Sequence, residues 1–138
     1  MGDRANVAIR TNENIDARIF LYAHSAGYGM GERVKCALEQ ARPRWNDASY
    51  GARIFLSSML TPEEHNAETG FGLSLSIADN DGYDCIEVDF VDNTVRIRKF
   101  DSQKWSFDFD NPPIASWLFD EYCKLADVSW DALKQVEA

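Results

Sequence analysis

A chain of 138 residues with 45% hydrophobic residues is long enough to bury one core without disulfides or metal ions, and it is too apolar to be disordered throughout. The net charge of −9 is concentrated in residues 79–138, which hold 14 acidic against 6 basic residues, whereas residues 1–78 hold 9 against 8. Because binding to phosphates depends on neutralising cations, this distribution argues against direct nucleic-acid binding through the acidic half. The sequence has neither a run of 18 apolar residues nor a basic leader followed by an apolar core, so we expect a soluble, cytoplasmic protein that does not bind a membrane.

The first half of the chain predicts two strands followed by two helices. The strands, at 7–10 and 18–23, are joined by a polar turn and are expected to form a hairpin. The first helix is indicated by apolar residues at helical spacing, namely Val34, Ala37, Leu38 and Ala41. Asp47 is the expected N-cap of the second helix, which Pro62 closes. Its buried stripe is expected to contain Gly51, Ile54, Phe55, Ser58 and Met59.

The second half predicts a run of strands and then two further helices. From Gly70 the apolar residues alternate as in a strand with one dry face, namely Phe71, Leu73, Leu75 and Ile77. Turn signals then separate strands at 85–90, 94–100 and 104–109. A helical stripe is expected at Ile114, Trp117, Leu118 and Tyr122, and Ser129 is expected to cap a last helix. The order β-β-α-α-β-β-β-β-α-α predicts a single α+β domain over residues 1–138, with an antiparallel meander sheet packed against helices.

The turn at Asp92-Asn93 allows a prediction of strand register. A two-residue turn would place Asp89 opposite Arg96 and Glu87 opposite Arg98, so one face of the hairpin would be an exposed charge ladder. In the following strand we expect Trp105, Phe107 and Phe109 to lie on one buried side.

The opening Met-Gly-Asp-Arg-Ala-Asn run resembles the start of a family of small uncharacterised proteins that are common in bacteriophages and in actinobacterial genomes. The similarity extends through the first half of the chain at Tyr22-Ala23-His24, Gly27, Arg44-Trp45-Asn46-Asp47-Ala48, Arg53-Ile54 and Glu68-Thr69-Gly70-Phe71-Gly72. The chain departs from the family's Thr-His-Trp-Gly-Gly pattern, since it reads Ala23-His24-Ser25-Ala26-Gly27. The resemblance implies no activity, because none is established for that family.

A possible anion pocket is indicated by Arg4, His24, Gly27, Gly29, Gly31 and Arg53. The three alternating glycines lie between a strand and a helix, where backbone amides could hold a phosphate, although such glycines also permit a tight connection. Arg4 and Arg53 suit bidentate recognition of an anion, but we favour their pairing with Asp3 and Glu68 in a buried structural network. We interpret His24 as a structural residue and predict no catalytic residue.

No metal site or cofactor is predicted. His65, the only histidine besides His24, lies in a polar loop, which disfavours a two-His site. The acids at 79–84 lack the spacing of an EF-hand and suit a hairpin turn instead. The cysteines Cys36, Cys85 and Cys123 form no Cys-x-x-Cys pair, so we expect reduced, buried thiols.

The acidic half is the strongest functional signal. We expect a basic surface of a host protein to bind carboxylates at turns and strand ends, namely Asp79, Asp81, Asp84, Asp92, Asp108 and Asp110. Mimicry of nucleic acid, as in an anti-CRISPR-like counter-defence inhibitor, would be the mechanism. The alternatives are a small enzyme or phosphate- or nucleotide-binding protein that uses His24 and the loop at 27–31, and a purely structural subunit.

Overall fold

The computed structural model describes residues 2–14, 17–77 and 79–135, and it confirms the α+β class. The strands are β1 (Ala5–Arg10), β2 (Ile19–Ala23), β3 (Phe71–Ser74), β4 (Cys85–Asp89), β5 (Thr94–Arg98), β6 (Phe100–Asp101), β7 (Ser106–Phe107) and β8 (Ala115–Leu118). The helices are α1 (Met30–Gln40), α2 (Ala48–Ser58), α3 (Phe119–Cys123) and α4 (Trp130–Lys134). None of the helices among these residues is long and apolar enough to cross a membrane.

The main sheet is mixed, in contrast to the predicted antiparallel meander. Its six strands have the order β3-β2-β1-β4-β5-β8, and β1 runs parallel to β4 with Val7 beside Ile86. The other neighbours are antiparallel. Every residue of β1 and of β4 is buried, which is typical of central strands that are covered on both faces. These two strands therefore pair with each other although 74 residues lie between the end of β1 at Arg10 and the start of β4 at Cys85.

The helices cover one face of the main sheet and form the larger core. Its fully buried members include Val7, Ile9, Val34, Leu38, Phe55, Ile86, Val88, Val95 and Ile97. The predicted helix starts are confirmed at two caps, because Asp47 accepts the N–H of Tyr50 and Ser129 accepts the N–H of Ala132. A smaller core on the opposite face contains Ala8, Phe20, Cys85 and Phe107.

The segment predicted as a helical stripe from Ile114 begins as a strand. Ala115 and Trp117 are buried while Ser116 and Leu118 are exposed, so the alternation of a half-buried strand holds up to the start of α3. The buried residues of α3 are Phe119, Tyr122 and Cys123. The apolar spacing in this segment fits both a strand and a helix, and pairing with β5 decides between them.

The hairpin of β6 and β7 is shorter than predicted. Trp105 lies in its turn with φ of 51° and is exposed, so the prediction that it shares a buried side with Phe107 is wrong. Phe107 is buried and stacks on Phe20, and Phe109 is partly buried against the same core. A positive φ is strained for a bulky residue, and the Trp105 ring makes an edge-to-face contact with the Phe100 ring.

The register of the β4–β5 hairpin differs from the prediction by two residues. Glu87 lies opposite Arg96, and Asp89 lies opposite Thr94. The loop is longer than two residues because the Asp89 carboxylate accepts the N–H groups of Val91 at 2.8 Å and Asp92 at 3.0 Å. A shift of two residues keeps every side chain on its predicted face, so the charged residues still share one face of the sheet.

Candidate functional site

Asp3 ties the start of the chain to the glycine loop. Its carboxylate accepts the N–H of Tyr28 at 2.7 Å and the hydroxyl of Tyr83 at 2.5 Å. Its own N–H donates to the His24 carbonyl, and its carbonyl accepts the N–H of Gly27. The hydrogen bond to Asp3, together with burial, raises the pKa of Tyr83 to about 12. The loop therefore already holds a carboxylate, which comes from the chain itself.

The three glycines of this loop differ in what surrounds them. A Cβ on Gly27 would lie 2.6 Å from the Tyr83 ring, and a Cβ on Gly31 would lie 1.9 Å from the Val128 carbonyl oxygen. A Cβ on Gly29 would meet no atom within 4 Å. Close packing thus explains Gly27 and Gly31 without a ligand.

Arg4 pairs with acids other than those considered from the sequence. Its guanidinium lies 3.2 Å from Asp79 and 3.4 Å from Asp81, and its backbone N–H donates to Asp81 at 2.7 Å. The considered pairing of Arg4 and Arg53 with Asp3 and Glu68 is not found among the described ion pairs.

His24 lies close to Arg4, but Arg53 does not join them. The His24 Nδ1 is 3.1 Å from the Tyr22 hydroxyl, and a Cβ on Gly2 would lie 3.1 Å from both His24 and the Arg4 guanidinium carbon. Arg53 is exposed on α2, where it lines an apolar groove of about 310 Å³. The structure therefore brings together only part of the predicted anion pocket.

The structure separates the six aspartates proposed for partner binding. Asp84 is buried, where it accepts the N–H of Phe100 at 2.8 Å and lies 3.1 Å from the Lys134 ammonium. We correct the prediction at this residue, because a buried, paired carboxylate does not face a partner. Asp79 and Asp81 are partly exposed beside Arg4, near the start of β1.

The remaining group of predicted residues is Asp92, Asp108 and Asp110. Asp92 is half-exposed and lies 3.0 Å from Arg96. The Asp108 carboxylate accepts the side-chain amide and backbone N–H of Asn111 and the N–H of Asp110, and these hydrogen bonds, the Asn111 amide first, hold its pKa below the usual value. Asp110 is exposed. Carboxylates in this group remain open to a partner.

A network of charged side chains covers the centre of the face opposite the large core. We call it the arginine–carboxylate ladder, and its members are Arg10, Arg18, Glu87, Asp89, Asp92, Arg96 and Arg98. Glu87 accepts hydrogen bonds from Arg18 at 2.5 Å and from Arg98 at 2.9 Å. The ladder was predicted to be exposed, and this is wrong for Glu87 and Asp89, which are both 0% exposed.

Asp89 stays ionised in the ladder although it is buried. Burial by itself raises the pKa of Asp89, but hydrogen bonds from Arg96 at 2.7 Å and Arg10 at 2.8 Å outweigh that effect, so the pKa is lowered. The Phe109 ring lies against the Arg18 guanidinium at 3.8 Å and helps to cover the network.

Possible metal ligands and cysteines are distributed as follows in the part of the chain that the structure describes. No group of three or more His, Cys, Asp or Glu side chains among them is arranged to hold a metal ion. Cys85 and Cys123 are buried as expected, whereas Cys36 is exposed. Burial raises the pKa of Cys85, which disfavours its reactive thiolate.

Sequence reasoning missed the role of Arg10 and Arg18. Alternation along β1 places Arg10 on the face opposite Val7 and Ile9, which was a usable signal. The acids that these arginines bind belong to β4, which no local pattern connects to β1.

Comparisons of the chain with protein-family models, curated proteins and solved structures return no match.

Replacing Asp3 by Ala tests the role assigned to the start of the chain. We expect the free energy of unfolding to fall by about 1.5–3 kcal/mol, because hydrogen bonds to a charged group are lost at Tyr28 and Tyr83. Glu68→Ala is the control, since Glu68 is exposed and a surface change of this kind costs less than about 0.5 kcal/mol. Urea unfolding measures both, and equal stabilities of the two variants would refute the assignment.

Proposed function

We propose that the protein is a small binding module that attaches to a basic surface of another protein through carboxylates of its acidic second half. The supporting observation is that most arginines are already used within the chain. Those in ion pairs with described carboxylates are Arg4, Arg10, Arg18, Arg33, Arg42, Arg96 and Arg98. Because internal ion pairs balance charges of both signs, the excess charge of −9 belongs to the acids outside them. A basic partner complements such a surface.

We assign two residues first to this contact: Asp110, which lies outside the described ion pairs, and Asp92, whose side chain is 52% exposed although it pairs with Arg96. Asp92 borders the ladder at Arg96, and Asp110 follows Asp108 next to Asn111, whose carbonyl accepts a hydrogen bond from Arg98. Both residues therefore lie close in sequence to groups that contact the ladder. Asp92 lies in the turn between β4 and β5, and Asp110 lies in the connection between β7 and β8. The ladder fixes β4 and β5, so the turn that carries Asp92 has a rigid support.

The finer part of the proposal concerns the class of partner. A protein that binds nucleic acid has a basic surface spaced for phosphates, and carboxylates can occupy it in their place. The resemblance to phage proteins favours a counter-defence role, in which a host nucleic-acid-binding complex such as a CRISPR effector is the target. We do not advance the enzyme or nucleotide-binding alternative, because the Tyr28 N–H that would meet a phosphate donates to Asp3.

To test the proposal, a partner is first isolated from bacterial lysate at low salt on the immobilised protein. The rate at which the protein associates with that partner is then measured. The double variant Asp92→Asn, Asp110→Asn should associate several-fold to about tenfold more slowly at low salt, because steering depends on these charges. Added salt should slow the wild type steeply, since exposed charges are screened within about 8 Å at physiological ionic strength. Double-stranded DNA should compete for the partner if the partner binds nucleic acid.

The matched control is the double variant Glu63→Gln, Glu68→Gln, which removes the same charge from two exposed residues of the first half. It should associate nearly as fast as the wild type. Equal slowing by both double variants would mean that only net charge matters, and salt-independent binding would remove the proposal altogether.

A further inference from the structure

Among the residues that the structure describes, strand β3 has no neighbouring strand on its outer side and is an open edge of the main sheet. It pairs with β2 on one side, with Leu73 opposite Leu21 and Gly72 opposite Tyr22. In the same register the N–H of His24 donates to the carbonyl of Gly70 at 2.7 Å, which marks His24 and Gly70 as a hydrogen-bonded pair. Such pairs alternate along an antiparallel ladder, so the N–H and C=O groups of Phe71 and Leu73 point away from β2 towards the open edge.

The same strand exposes large apolar side chains and carries no charge. Leu73 is 60% exposed, and Leu75, the residue that follows the end of the strand at Ser74, is 82% exposed. Residues 69–77 contain no Asp, Glu, Lys, Arg or Pro, although the flanking residues Glu68 and Asp79 are acidic. Edge strands of monomers usually carry a charge, a proline or a bulge that prevents pairing, and this one has no such charge or proline.

We propose that β3 pairs antiparallel with β3 of a second copy of the chain, so that the two main sheets join into one. With the two-fold axis at Leu73, each Leu73 lies opposite its counterpart, and Phe71 of one copy lies opposite Leu75 of the other. The outward N–H and C=O groups of Leu73 then form hydrogen bonds with those of Leu73 in the other copy, and those of Phe71 face Leu75 of the other copy. Large apolar residues meet on one face, and the small residues Gly72 and Ser74 meet on the other.

The absence of charge favours a second copy over an unrelated segment. In a symmetric antiparallel pair each residue faces residues of its own strand, so an acidic residue in a protein of net charge −9 would be brought close to like charges. Residues 69–77 avoid this repulsion completely. A hetero-partner would place no such restriction on the strand.

The opposite edge of the sheet, β8, lacks these properties. Pro112 and Pro113 shortly precede it, and the N–H of its last residue, Leu118, donates to the Glu121 carboxylate at 2.8 Å. Leu118 is nevertheless 57% exposed, which makes it a matched control for Leu73.

Sedimentation velocity over a range of concentrations tests the proposal. The wild type should pass from 15.7 kDa to twice that mass, Leu73→Lys should remain a monomer at every concentration, and Leu118→Lys should still dimerise. Leu75→Lys provides a second charged variant should Leu73→Lys fold poorly, and circular dichroism checks the fold of each. Amide exchange at Leu73 should slow as wild-type concentration rises.

Three results would overturn the proposal. A wild type that stays monomeric at the highest soluble concentration would show that β3 does not self-associate. Equal loss of association in Leu73→Lys and Leu118→Lys, or growth beyond a dimer, would indicate head-to-tail pairing of β3 with β8 instead.

Discussion

Replacing Glu87 by Gln is expected to lower the free energy of unfolding by about 3–5 kcal/mol, because it removes the negative charge that Arg18 and Arg98 require in a buried network. Gln has nearly the same shape as Glu, so packing is preserved and the change is mainly electrostatic. The free energy of unfolding of a typical domain is about 5–15 kcal/mol, so this loss is a large fraction of the total stability. Chemical denaturation followed by circular dichroism measures it.

Asp92→Asn is the control for this change. Asp92 belongs to the same ladder and pairs with Arg96, but its side chain is 52% exposed. An ion pair that water screens contributes about 0–1 kcal/mol, so the control should remain close to the wild type. If Glu87→Gln were no more destabilising than Asp92→Asn, water would have to reach the ladder, and its assignment as a buried structural network would fail.

The contrast between Asp47 and Arg10 shows what the sequence could predict. Asp47 acts on the N–H of Tyr50, three residues away, so its type and position were enough to identify a helix start. Arg10 binds Asp89, 79 residues away, and that contact exists only because β1 and β4 are adjacent and parallel. Local periodicity identified both strands, but it contains no information about which distant strand each one joins.

Hairpin β4–β5 shows an intermediate case. The turn signal correctly identified the hairpin, and the alternation correctly placed Glu87, Asp89 and Arg96 on one face. The predicted register was wrong because the Asp89 side chain accepts hydrogen bonds from the backbone of the turn, which the dipeptide Asp92-Asn93 does not reveal. Burial of the ladder was missed because it depends on Phe109 and Arg18, which come from elsewhere in the chain.

The candidate site was less predictable than the fold. The glycine loop was predicted as part of a possible anion pocket, and in the structure its Tyr28 N–H donates to the carboxylate of Asp3. The occupant could not be predicted, because an internal carboxylate and an external phosphate satisfy the same N–H group. Asp3 occupies it, which gives the charged start of the chain a structural role.

Replacing Gly31 by Ala separates the packing role of this loop from a ligand-binding role. A Cβ at this position would lie 1.9 Å from the backbone oxygen of Val128 and 3.3 Å from the Leu133 side chain, so α1 would have to move away from the start of α4. The hydrogen bond from the Tyr122 hydroxyl to the Gly31 carbonyl would be strained by the same movement. We expect a loss of about 3 kcal/mol, the upper end of the usual overpacking cost.

The packing role and a simple helix effect predict changes in stability of opposite sign for Gly31→Ala. Without the contact to Val128, Ala in place of Gly inside a helix would stabilise it by about 1 kcal/mol. Gly29→Ala is the matched control, because its Cβ would meet no atom within 4 Å, and its stability should change by less than about 1 kcal/mol in either direction. Thermal unfolding with and without inorganic phosphate measures both variants and the wild type. The packing role would be refuted by a stable Gly31→Ala variant, or by stabilisation of the wild type by phosphate that Gly31→Ala abolishes, and the loop would then be an anion site. A destabilised Gly31→Ala variant, with no effect of phosphate on any of the three proteins, would support the packing role.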